Sequence, residues 1–174
     1  KVNWKPMKFL IGGRVIGGPI GLVFLTTLDP NLLSISVGAI VLSAGLGSYF
    51  GWNVKRNSIN SLLAGTFSGI FGMIAAIGGP PVAILYRGTK GSEFRPSLNA
   101  VFTLGILITL SLLVFTGNLL QDHLVLFLYL VLPVLLGIRF SSLLFSRVSD
   151  KLIADMVTYF SIFSGAVVIY RELF

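Results

Sequence analysis

The chain has 174 residues, of which 55% are hydrophobic and only 11% charged, whereas an average soluble domain carries roughly a quarter charged residues; so few charges cannot clothe a water-facing surface. Thirteen Lys and Arg against six Asp and Glu leave a net charge of +7, which in a soluble protein would raise nucleic-acid binding, but here the basic residues fall between apolar blocks and serve topology instead. With no cysteine and one histidine, His123, disulfides, thiolate metal sites and histidine-rich metal sites are excluded.

The opening at Lys1, with neither Met nor a signal peptide, is what a processed or truncated product lacking an upstream portion would show. Apolar blocks follow at Phe9 to Leu28, Leu32 to Phe50, Leu98 to Thr116, Leu124 to Ser146 and Ile153 to Tyr170. Each is near the ~20 residues that cross a ~30 Å hydrocarbon core, and each is bounded by Gly, Pro, Asn or charge. The block Ile59 to Tyr86 differs, being interrupted by Gly65, Gly69, Gly72 and then Gly78-Gly79-Pro80-Pro81. Tandem glycines are poor helix formers and Pro81 would strip a carbonyl of its donor, so a broken helix is expected. Lipid tolerates such a break only inside protein or beside a water-filled cavity. The expected fold class is an all-α integral membrane protein, a polytopic bundle with one glycine- and proline-broken span.

Charge then chooses a path for that block. A single crossing divides the flanking basic residues evenly between the two sides. A re-entrant path puts Lys1, Lys5, Lys8, Lys55, Arg56, Arg87, Lys90, Arg95, Arg147 and Lys151 on one side and leaves Arg171 opposite, in keeping with the positive-inside rule. The re-entrant path is therefore expected. A shift of 120 residues lays Ile16 to Phe50 on Leu136 to Tyr170, matching Gly17 with Gly137, Leu32 with Leu152, Val37 with Val157 and Gly45 with Gly165. Apolar segments match by chance, but a turn also falls on a turn, and the copies would cross in opposite directions, the inverted-repeat plan of many secondary transporters. Residues 1–58 then close a first repeat half with two spans, and 59–174 form a second half with the broken span and three more.

The run Gly65 to Gly72 (GTFSGIFG), then Ile77 to Val82 (IGGPPV) and Tyr86, resembles the sulfite exporter TauE/SafE family of membrane transporters, at the glycine-rich span that opens the family's second half. Trp4, the run Arg14 to Gly21 (RVIGGPIG) and Asp29-Pro30 resemble the end of its first half; Arg95 and Leu136-Gly137 resemble its second. The resemblance covers nearly the whole chain, except that the glycine-rich span opening the family's first half has no counterpart after Lys1. It implies a secondary transporter of a small sulfur-containing anion, a sulfite or an organosulfonate, in a bacterial or archaeal inner membrane.

The residues themselves point to an anion. A helix restarting at Pro80 or Pro81 has proline in its first turn, where no donor is lost; the free N–H groups of Val82, Ala83 and Ile84 and the positive dipole end would face a cavity. Thr66 and Ser68 offer hydroxyls from the preceding half-helix, and Asn99 and Thr103 share one face of the next span, although helix packing explains the same residues. Arg139 and Arg14 lie within spans, as anion attractors or as snorkelling arginines. The expected substrate-binding set is Gly78, Gly79, Pro80, Pro81, Val82, Ser68, Thr66, Asn99 and Arg139. No metal or other cofactor is expected. The expected partners are the small anion and the lipid bilayer, with no nucleic acid and self-association left open. A scaffold subunit and an intramembrane enzyme are the alternatives; the second lacks a nucleophile, base or metal set.

Overall fold

The computed structural model describes residues 4–52, 54–87, 89, 91–118, 121–144 and 150–173. Among these residues seven helices follow in order: α1 (Trp4–Thr27), α2 (Pro30–Tyr49), α3 (Ser58–Ala75), α4 (Gly79–Leu85), α5 (Gly91–Phe115), α6 (Gln121–Leu144) and α7 (Asp150–Leu173). Five of them, α1, α2, α3, α5 and α6, are long and apolar enough to cross a membrane. The protein is an integral, multi-pass helical membrane protein. Local chemistry sets the helix starts. Asp29 accepts from the Leu32 N–H at 3.0 Å with Pro30 in the first turn of α2, and Asn57 accepts from the Asn60 N–H at 2.7 Å at the start of α3; each side chain satisfies a donor the helix leaves over. Helix α5 begins earlier than its apolar block and carries Pro96 in its second turn, where the ring removes one donor from the ladder.

Contacts fix the direction of each helix. In α1 and α3, Leu10 meets Gly65, Gly17 meets Thr66 and Gly21 meets Ile70, so the two run parallel. Helix α5 runs the same way, since Arg14 reaches Val101 and Gly18 faces Leu112. In α2 and α7, Gly38 meets Gly165, Gly45 meets Ile162 and Ser48 meets Thr158, so this pair is antiparallel. The broken block returns to the end it left: Arg87 donates to the Trp52 carbonyl at 3.4 Å, and Arg56 pairs with Glu93 at 2.8 Å. The re-entrant path expected from charge is the one the chain takes.

Glycine makes both main seams. A Cβ on Gly69 would sit 2.8 Å from the Arg14 carbonyl oxygen, and one on Gly21 would sit 2.8 Å from that of Ile70; backbones this close are how membrane helices gain packing energy without a hydrophobic drive between them. In the α2·α7 seam a Cβ on Gly45 would lie 2.9 Å from the Ile162 nitrogen, and one on Gly165 would lie 2.7 Å from the Leu42 nitrogen. These contacts exchange under the 120-residue shift. Met7, Leu10, Val82, Leu85, Tyr86 and Val101 form the buried core where α1, α4 and α5 meet.

Candidate functional site

Helix α3 ends with Ala76 in the left-handed region, φ 56°, and the N–H groups of Ala76 and Ile77 both turn back to the Phe71 carbonyl, the arrangement that ends many helices at a left-handed residue. The chain then doubles back. Gly78 returns to the side of α3, where the buried Ser68 hydroxyl donates to its carbonyl at 2.5 Å. A Cβ on Gly78 would meet the Ser68 carbonyl oxygen at 2.7 Å, so a glycine is required there by space. Ser68 stands about 15 Å along α3 from its start at Ser58, half of a ~30 Å core. Gly78 therefore lies level with the middle of α3, while Ala76 and Ile77 lie at its far end.

One cation lies beside it. Arg14 of α1 is 5% exposed and donates to the Val101 carbonyl at 3.3 Å. Its guanidinium passes over Gly105 of α5, and a Cβ on Gly72 or Gly78 would lie 3.0 or 3.1 Å from its terminal nitrogen. Three glycines on α3, the break and α5 thus make the slot that holds it. A guanidinium has five N–H donors, and among the described residues Arg14 makes one hydrogen bond. Among the described residues no carboxylate pairs with it; the ion pair found there is Arg56 with Glu93. Burying a charge without a counter-ion costs several kcal/mol, so the slot suits an anion.

A family model, Sulfite exporter TauE/SafE, matches residues 1–168. The chain belongs to the TauE/SafE family. Membership makes it one of a family of membrane transporters for sulfur anions. Searches of curated proteins and of solved structures each gave no significant match.

Against this TauE/SafE frame the expected residues separate. Gly78 and Ser68 meet at the break, and Gly79 and Pro80 open α4. Pro81 is half-buried, and Val82 belongs to the core with Met7 and Leu10. Thr66 lies in the α1·α3 seam, its hydroxyl donating to Leu62 of its own helix at 3.1 Å. Asn99 and Thr103 are exposed on α5, about 200° around the helix from Val101 and Gly105, which face Arg14. Arg139 is exposed on α6, a helix that packs extensively against none of the other described helices.

The free donors at the break are not those of Val82, Ala83 and Ile84. Helix α4 starts at Gly79, one residue before Pro80. Of the first four donors an α-helix leaves unpaired, two positions are prolines without an N–H, which leaves Gly78 and Gly79. Val82, Ala83 and Ile84 fall within the hydrogen-bonded ladder. Arg14 supplies the charge that the short α4, seven residues long, does not.

At the basic end the hairpin is held shut. The Arg56 guanidinium sits 5.1 Å from the Tyr86 ring centre while pairing with Glu93. Tyr86 is fully buried. Its hydroxyl and that of Ser97 are buried without a well-formed hydrogen bond.

Proposed function

We propose that this chain is a secondary transporter that binds a small sulfur-containing anion, a sulfite or an organosulfonate, at the break between α3 and α4. The observation that carries this reading is the buried Arg14, without a carboxylate partner among the described residues and within reach of Gly78. The N–H groups of Gly78 and Gly79 add donors, and Ser68 holds the break in place through the Gly78 carbonyl. In this reading residues 1–58 and 59–174 belong to two inverted halves. The exchange of contacts between Gly45–Ile162 and Gly165–Leu42 supports it. The membrane is a bacterial or archaeal inner membrane, with the basic end in the cytoplasm.

Flux of labelled sulfite in proteoliposomes, measured together with thermal stability, tests it. Arg14→Gln removes charge-assisted hydrogen bonds worth about 1.5–3 kcal/mol, so flux should fall roughly 10- to 100-fold. Stability should hold or rise, because the uncompensated charge is gone. Arg14→Lys keeps the charge but loses the planar fork and should recover only part of the flux. An Arg14→Gln protein that is less stable yet transports at the wild-type rate would make Arg14 a structural residue and overturn the reading.

A further inference from the structure

On the other side of the break from Arg14, between α2, α4 and α7, lies a cavity of about 690 Å³. Ile77 and Pro80 bound it, so one wall is the break itself. The walls are mainly apolar, and the polar groups are few and distinct: the hydroxyls of Ser48, Thr158 and Ser161, and Arg87. Ser48 and Thr158 share a hydrogen bond of 2.9 Å across the seam, and Ser161 follows one turn further along α7. Arg87 is exposed at the basic end, with a hydrogen bond of 3.4 Å to the Trp52 carbonyl and no carboxylate pairing with it among the described residues. Among the described residues of the lining it alone is charged.

We propose that this cavity is a second anion site, taking a small organic anion with a short apolar body, its charge at Arg87 and the body against the apolar walls. The volume falls within the ~300–1,000 Å³ of small-molecule sites, which are mostly apolar with a few placed polar groups. A bare inorganic oxyanion would need donors on every side, and three hydroxyls and one guanidinium do not surround it. A cation is disfavoured by Arg87. The site is distinct from Arg14 and rests on the transport reading only in being an entry station: Gly78 is the residue between the two, adjoining the cavity-lining Ile77 and lying within 3.1 Å, at its Cβ position, of the Arg14 guanidinium.

The natural absence of cysteine makes the test direct. Ser161→Cys is placed in the full chain in nanodiscs and reacted with two thiol reagents of similar size, the anionic sulfonatoethyl and the cationic trimethylammonioethyl methanethiosulfonate. Rates are normalised to the same pair of reagents on Asn118→Cys, an exposed loop position. The anionic reagent should be favoured about tenfold, a modest case of charge focusing in a cleft. Arg87→Gln should bring the ratio near one, and ethanesulfonate should slow the labelling only when Arg87 is present. Ser48→Cys, on the facing wall, serves if Ser161→Cys does not fold. A normalised ratio near one, a preference that survives Arg87→Gln, or no labelling at either position overturns the proposal. If the preference is absent while Arg14→Gln still abolishes sulfite flux, the cavity falls and the Arg14 reading stands; a preference in a chain that carries no flux has the opposite meaning.

Discussion

Helices α1 and α6 are counterparts under the 120-residue shift, both 24 residues long, mostly apolar and each carrying one arginine, yet 39% of the spanning window of α1 is buried and 0% of that of α6. Gly17 of α1 sits against the Thr66 backbone of α3, while Gly137 of α6 has nothing within 4 Å. Arg14 is buried and Arg139 exposed. The difference lies in what stands beside each helix. Helix α1 has the broken span for a neighbour, and it is this neighbour that turns a glycine into a seam and an arginine into a buried charge.

The largest effect that would break the comparison is steric. Gly17→Val drives side-chain atoms into the Thr66 carbonyl and should cost at least about 3 kcal/mol, at the upper end for overpacking; Gly137→Val should stay within roughly 0.5 kcal/mol. Thermal unfolding in detergent measures both, and equal losses would show that the helices are alike after all. Next come the arginines. Arg139→Gln should leave sulfite flux within about twofold of wild type, while Arg14→Gln loses the 1.5–3 kcal/mol expected of a charge-assisted contact. A third variant weakens the neighbour itself: Ser68→Ala deprives the Gly78 carbonyl of its hydroxyl donor and should cost about 1–2 kcal/mol. Its signature is faster amide exchange at residues 76–79 with α6 unchanged. The smallest effect is a gain. Ala76→Gly relieves a left-handed alanine and should raise stability by roughly 0.5 kcal/mol, visible as a small increase in Tm.

Much of this is legible in the sequence alone. The spans could be read because lipid demands uninterrupted apolar length, and the hairpin because a single crossing would have divided the basic residues evenly, whereas Arg56 and Arg87 lie at one end. The glycine-proline cluster marked the break, but not which residue opens α4; it opens at Gly79, with both prolines in the first turn, where no donor is lost. The choice between the arginines was harder. Both lie in apolar spans, and burial depends on which helices meet, which periodicity does not encode. One signal was available: Gly12, Gly13, Gly17, Gly18 and Gly21 flank Arg14, whereas α6 has Gly137 alone. A helix so rich in glycine is built for close neighbours. The hydroxyls of Ser48, Thr158 and Ser161 offered no comparable mark, since their meeting depends on the antiparallel course of α2 and α7.

The brevity of α4 has a consequence for biogenesis. A helix of seven residues, about 10 Å long, cannot stand alone in hydrocarbon, where its end carbonyls and the Gly78 peptide would go unpaired. The hairpin therefore needs a protein-lined berth when it leaves the insertion machinery. Helix α1 precedes it in the chain and provides half of that berth through the glycines that face α3. Synthesis order thus delivers the receiving wall before the guest, and α5, which follows directly, closes the other side over Arg14.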